Sequence, residues 1–284
     1  MLRRRTGTEP DGSGDGGGTA VLAEPVPALD LDAVSREYQQ GVPALDAVSL
    51  TLPPGRMLAV MGRSGSGKST LLQCAAGLDR PTSGTVRIAG TDLAGLKETS
   101  LTRLRRDRIG SVFQALNLVP SLSVLENAAL PLLLAGGSPG SGSASGFASG
   151  SVSGSVSAHE GYEERALRAL EAVGLADRAA EAPARLSGGQ QQRVAIARAL
   201  VNEPEVVFAD EPTGALDPVT AAEVLALLRQ AVDRSGHTVV MVTHDPAAAE
   251  WADEAVFLDR GRLVGSLVQP SAEEVRGALR GLGR

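Results

Sequence analysis

Leu58-Ala59-Val60-Met61 runs into Gly62-Arg63-Ser64-Gly65-Ser66-Gly67-Lys68-Ser69-Thr70, and Leu71-Leu72-Gln73-Cys74-Ala75-Ala76 follows. An apolar run, a glycine-rich turn and a helix-forming run in that order predict strand, loop and helix. Gly62, four residues, Gly67, Lys68 and Ser69 have the spacing of a phosphate loop. Each residue type has a task in that chemistry. Glycines let backbone N–H groups curl inward around phosphate oxygens. The start of the following helix adds partial positive charge. Lys68 brings a flexible point charge to the β- and γ-phosphates, and the Ser69 hydroxyl is suited to ligate Mg²⁺. A chain of this length contains the bare pattern by chance with odds on the order of 1 in 100. Its strand-before, helix-after setting lowers those odds further. Cys74, one turn into the helix, reads as a small buried residue rather than a reactive thiol.

Working outward, Met57 to Met61, Ile109 to Phe113, Val206 to Ala209 and Val239 to Val242 read as buried strands. Ser69 to Ala76, Glu163 to Val173 and Gln190 to Leu200 read as helices. Short β-branched runs alternating with helices predict an α/β fold built on a largely parallel sheet with helices on both faces. Ala255 to Leu258 and Arg262 to Val264 read as a hairpin turning at Gly261. The Val206 strand ends in Asp210-Glu211, and the C-terminal edge of a parallel sheet is where ligands bind. Asp210 fits a Mg²⁺-holding role and Glu211 that of a base for an attacking water. A solvated acidic turn is the bland alternative for such a pair.

A second helix start, Leu186-Ser187-Gly188-Gly189-Gln190, has a capping serine and two glycines that free orphan N–H groups for an anion. One nucleotide does not need two such helix ends so far apart in sequence. A plain helix start is the alternative.

Composition narrows the classes. The 284 residues include 34 glycines but only 2% aromatics, so Val, Leu and Ala build the core. The net charge of −6 sets up no global field for nucleic acid. One cysteine excludes an internal disulfide framework and a multi-cysteine zinc site. The longest apolar stretch, residues 128–135, is broken by Pro131 and falls far short of the ~20 residues of a membrane helix. No apolar segment follows Arg3-Arg4-Arg5, so the start does not read as a secretory signal. Residues 1–27 are rich in Gly, Asp and Pro and are expected to be disordered. Residues 136–157 contain 7 Gly and 9 Ser in 22 positions and are expected to form a flexible insertion, projecting outward. His159 and His237 read as solvated. Trp251 reads as core or edge packing. Arg103, Arg105, Arg106 and Arg108 read as a solvated helix face, with a surface near a permease or phospholipid as the weaker alternative.

Leu186 to Gln190 matches the signature of the ATP-binding subunits of ABC transporters, and the chain resembles that family from about residue 28 to residue 268. Val112-Phe113-Gln114 is similar to its Q-loop, Pro212 to Asp217 to its D-loop and Val242 to Asp245 to its switch-histidine loop. Tyr38, 24 residues before Gly62, is placed like its adenine-stacking aromatic. The wording from Ala209 to Asp217, and from Val112 to Pro120, resembles the branch of lipoprotein-release, macrolide-export and cell-division ATPases.

The resemblance implies a P-loop NTPase of ABC type: a RecA-like core, an antiparallel β subdomain and an inserted helical subdomain at about 115–186. The cassette would span 28–270, with a tail at 271–284. ATP and Mg²⁺ are the implied ligands. Tyr38 and Gly62, Arg63, Ser64, Gly65, Ser66, Gly67, Lys68, Ser69 and Thr70 would hold ATP, with Ser69, Gln114 and Asp210 on Mg²⁺. Glu211, His244 and Gln114 would serve catalysis. Ser187, Gly188, Gly189, Gln190 and Asp217 would face the ATP of a second cassette, most simply a second copy of this chain. The implied partner is an integral-membrane permease at the inner face of the cell membrane, with no nucleic acid. A soluble relative acting on DNA or ribosomes is the competing class, disfavoured by the single cassette, the charge and the lack of heptads. A regulator without turnover is disfavoured by Glu211 and His244.

Overall fold

The computed structural model describes residues 26–39, 41–136 and 161–282. Of residues 1–27, expected to be disordered, 1–25 fall outside them, as do residues 137–157 of the insertion expected to project outward, and His159.

The apolar strands form one six-stranded sheet in the order β10-β9-β3-β8-β7-β6. Its members are β3 (Met57–Met61), β6 (Ile109–Val112), β7 (Val206–Asp210), β8 (Val239–Val242), β9 (Glu254–Asp259) and β10 (Arg262–Val268). Every pairing is parallel except β9 with β10. That last pair is the hairpin read from the sequence, closing through Arg260 and Gly261, both at positive φ.

Alternation along each strand explains the continuous apolar runs. Met57, Ala59 and Met61 of β3 face one core with Val207, Ala209, Val239 and Met241. Leu58 and Val60 face the other core with Val206, Phe208, Val240 and Val242. A sheet covered on both faces needs apolar residues at every position.

A second, antiparallel sheet has the order β2-β1-β4-β5, with β1 (Leu29–Gln39), β2 (Val42–Leu52), β4 (Ser83–Ile88) and β5 (Thr91–Asp92). Helix α1 (Lys68–Ala75) lies between the sheets, burying Leu71, Leu72, Cys74 and Ala75. Cys74 is buried as the sequence reading held, and desolvation pushes its thiol up to about 11. Helix α2 (Glu98–Arg108) adds Leu101 and Leu104 to that core. Arg103 and Arg108 are exposed as expected, but Arg105 and Arg106 are partly buried. Arg105 donates to the Gly77 carbonyl and to Glu98, and Arg106 pairs with Asp107.

Helices α3 (Val124–Leu134), α4 (Tyr162–Ala172) and α5 (Gly188–Leu200) pack on one another. Asn127, fully buried in α3, fastens this group to the segment after β6. Its Oδ1 accepts the Val119 N–H at 2.7 Å, and its Nδ2 faces the carbonyls of Val119, Leu122 and Ser123 within 3.2 Å. Asn127→Ala strands several of these groups away from water, so the chain is expected to lose about 2–3 kcal/mol of stability in denaturant unfolding. A loss within experimental error would show that Asn127 is not the fastening.

Helices α6 (Pro218–Ser235), α7 (Pro246–Ala249) and α8 (Ala272–Gly281) complete the structure. Residues 271–284, read from the sequence as a tail, thus carry a helix. It is capped by Ser271 and Glu274 and buries Val275 against α7 and β9. His237, expected to be solvated, is half-buried with Nδ1 3.3 Å from the Pro204 carbonyl, and burial lowers its pKa.

Candidate functional site

Parallel register brings three strand ends to one edge of the large sheet. Val60 pairs with Val242, and Val242 with Asp210. The loop after β3, Asp210-Glu211 after β7 and Thr243-His244 after β8 therefore open onto the same edge. A cleft of about 560 Å³ lies there, lined by Tyr38, Ala44, Gly62, Ser64, Gly65, Gly67, Lys68, Ser69, Thr70, Gln114, Asp210, Glu211, Val242 and His244.

The loop is cradle-shaped because its glycines permit it. Gly67 sits at φ +107°, where a Cβ would run into the Ala44 carbonyl oxygen. Lys68 Nζ donates to the carbonyls of Gly62 and Arg63, both at 2.9 Å, which holds the ammonium over the loop. Burial lowers the Lys68 pKa, and the charges of Glu211 and Asp210 oppose that shift. Ser66 Oγ is buried within the loop with no hydrogen-bond partner. A cradle of glycines, a tethered cation and an orphaned hydroxyl fit a polyphosphate.

Across the cleft, burial raises the Asp210 carboxyl, and the neighbouring Glu211 charge raises it further. A carboxylate so crowded fits a divalent cation, and Ser69 and Gln114 offer oxygen atoms in the same cleft. Glu211 adopts φ +47°, a left-handed conformation rare for glutamate. It is pinned there: its N–H donates to the Val242 carbonyl at 2.9 Å, and its carbonyl accepts from Gly214 at 3.1 Å. Its Oε1 lies 2.7 Å from His244 Nδ1, and Thr243 Oγ1 is 3.4 Å from Oε2. With Nδ1 turned to Glu211, the imidazole offers Nε2 to solvent and the cleft; the His244 side chain is 73% exposed.

The predicted site residues divide into two clusters. Tyr38, Gly62, Ser64, Gly65, Gly67, Lys68, Ser69, Thr70, Gln114, Asp210, Glu211 and His244 share the cleft. Arg63 is exposed and its carbonyl accepts from Lys68, and Ser66 is buried within the loop. Ser187, Gly188, Gly189, Gln190 and Asp217 do not line it. Ser187 and Gln190 form a reciprocal capping box at the start of α5. Asp217 caps α6, accepting from the N–H groups of Val219 and Thr220 and from Thr220 Oγ1, and these bonds lower its pKa. The two helix starts touch, since a Cβ on Gly189 would collide with Thr220.

Sequence reading placed Thr243 in the switch-histidine loop but gave no role to its hydroxyl, which faces Glu211 Oε2. It missed Asp79, to which Tyr38 is bonded through its hydroxyl at 2.8 Å. Thr243 neighbours a motif histidine and was within reach of inspection; Asp79 carries no pattern that points to Tyr38.

The profile of the ABC transporter family matches residues 45–214. The chain is 44% identical over 239 residues to the ABC transporter ATP-binding protein YvrO of Bacillus subtilis, covering 83% of this chain and 95% of that one. It belongs to the ABC transporter family.

The macrolide export ATP-binding/permease protein MacB of Marinobacter nauticus is 42% identical over 243 residues, covering 84% of this chain and 34% of MacB. The chain thus spans about a third of the length of these MacB relatives. Among solved structures, the dimeric ABC cassette MJ0796 bound to ADP and Pi superposes with a TM-score of 0.70 at 38% identity, over 86% of this chain and 99% of that one. CbiO1 of Clostridium perfringens, part of the transporter complex CbiONQ, superposes at 0.71 and 26% identity, over 88% and 91%. These are transporter cassettes, which sets aside the reading as an ATPase acting on DNA or ribosomes. The chain is an ABC-type ATPase that binds ATP. Among the described residues no helix is long and apolar enough to cross a membrane.

Proposed function

We propose that this ABC cassette pairs head to tail with a second copy of itself, hydrolyses ATP in the presence of Mg²⁺ and powers an integral-membrane permease. The observation that carries the reading is the split of the predicted site into a complete cleft and a separate pair of helix starts. One chain then supplies Lys68 and Glu211 to an ATP whose far side meets Ser187, Gly188, Gly189 and Gln190 of the other. Asp217, beside those glycines through Thr220, would relay between the two sites.

Tyr38 would stack on the adenine, and the loop from Gly62 to Thr70 would receive the phosphates. Ser69, Gln114 and Asp210 would hold Mg²⁺, which neutralises phosphate charge when bound. Glu211 takes the proton from the attacking water, and His244 holds the Glu211 carboxylate in place from one side. The fixed backbone of Glu211 confines that carboxylate to one position, which is what general-base catalysis needs.

The names of the MacB relatives join an ATP-binding part to a permease, which supports a permease partner at the cytoplasmic face of the membrane. Extrusion, or mechanical work on an extracytoplasmic domain, is the favoured output, because the branch resemblance includes export and cell-division ATPases. Affinity purification from native membranes tests this. Recovery of a polytopic membrane protein with the chain is the expected result; recovery of ribosomes without one would overturn the assignment.

A further inference from the structure

We infer that Asp79 is a positioning residue for nucleotide binding, which together with Arg36 fixes the Tyr38 ring so that only one of its faces is open to a base. The inference rests on the ATP site proposed above and names a device within it.

Arg36 and Tyr38 are two residues apart near the end of β1, where its pairing with β2 is irregular, and both side chains meet Asp79. Asp79 reaches them from the loop after α1. Its Oδ2 accepts the Tyr38 hydroxyl at 2.8 Å and Arg36 Nε at 2.9 Å, and its Oδ1 pairs with the guanidinium at 2.9 Å. The guanidinium in turn lies 4.6 Å from the Tyr38 ring centroid. One carboxylate thus holds the ring by its hydroxyl and holds the cation that covers one of the ring's faces. The remaining face belongs to an aromatic ring that lines the cleft of the phosphate loop.

The mounting of Asp79 is rigid. Its N–H and that of Leu78 both donate to the Gln73 carbonyl, in the last turn of α1. Thr82 then fastens the loop to β1, donating its N–H to Ser35 and accepting the Glu37 N–H at its hydroxyl. Helix α1 therefore carries the phosphate loop at one end and the tyrosine's anchor at the other, about 12 Å apart along its eight residues.

Energetics favour such a device. Tyr38 is 56% exposed, so burial holds little of the ring. A free ring pays for ordering when a ligand stacks on it; a ring already held by hydroxyl and cation does not. Arg36 and Asp79 have side-chain exposures of 24% and 23%, so this ion pair is sheltered beyond the usual surface pair.

The test compares ligands with and without a base, using the purified full chain. Asp79→Ala is expected to weaken ATP binding in calorimetry by about fivefold, the scale of ordering one side chain on binding. The KM for ATP should rise with it, kcat should stay within about twofold, and the affinity for inorganic tripolyphosphate should not change. Tyr38→Ala should give an ATP loss at least as large, about tenfold or more, and the double variant no more than Tyr38→Ala alone. Asp79→Asn, which keeps the side chain's volume, serves if Asp79→Ala does not fold. Unchanged ATP affinity in Asp79→Ala beside a loss in Tyr38→Ala would overturn the role of Asp79 alone. Equal losses for ATP and tripolyphosphate would overturn it too, by moving the effect to the phosphate loop. Full ATP affinity in Tyr38→Ala would instead overturn the stacking site itself.

Discussion

Glu211→Gln is expected to cut ATP turnover by about a hundredfold or more while leaving ATP affinity within a few-fold of the parent. The amide has the shape of the carboxylate but cannot accept a proton from water. The rest of the site should survive the change. The left-handed φ of Glu211 is held by the Val242 and Gly214 backbone bonds, which no side chain supplies. His244 Nδ1 keeps an oxygen acceptor at Oε1. Removal of one negative charge relaxes the crowding on Asp210, which Glu211 raises. Since binding persists and hydrolysis stops, the variant should accumulate as an ATP-dependent dimer, seen as a shift in size-exclusion volume when ATP is added. Turnover at the parent rate would remove Glu211 from the role of base. Turnover lost with no dimer would leave the base in place and undo the head-to-tail pairing.

The phosphate loop was legible because its chemistry is local. Nine consecutive residues, Gly62 to Thr70, need only their own backbone and the strand and helix that flank them. The sheet was legible for a similar reason: runs such as Val206 to Ala209 and Val239 to Val242 are apolar at every position, which only a doubly covered strand explains. The departures are non-local. His237 lies next to Ser235-Gly236, a composition that reads as solvent, yet the Pro204 carbonyl from another loop shelters it. Helix α8 was hidden because its pattern from Ala272 to Gly281 is short, with as many charged as apolar residues and two glycines, and a single residue of it, Val275, is fully buried. Arg105 and Arg106 looked like a solvated run because a sequence does not show that the Gly77 carbonyl lies within reach. The Arg36–Tyr38–Asp79 cluster joins residues 41 and 43 positions apart, and no spacing rule links a strand tyrosine to a loop aspartate across that distance.

Lys68→Ala is expected to weaken ATP binding by about a hundredfold, the scale of a charge-assisted contact removed from a half-buried site. The lysine does two things that can be separated. Its ammonium bonds to Gly62 and Arg63 keep the loop closed on itself, and its charge faces Asp210 and Glu211 across the cleft. Loss of the first loosens the loop; loss of the second leaves two carboxylates in a cleft that must admit a polyanion. Lys68→Arg discriminates between them. Arginine restores the charge, but its guanidinium is bulkier and its donors point in fixed in-plane directions, unlike those of the compact, freely rotating ammonium that meets both carbonyls. If the charge were all that mattered, Lys68→Arg would bind ATP as the parent does. Because the loop's curl depends on a single compact donor, Lys68→Arg should remain at least about tenfold weaker than the parent, with thermal unfolding little changed. Of the two lysines in the whole chain, against 25 arginines, one stands at the position where a compact ammonium bonds two loop carbonyls at once.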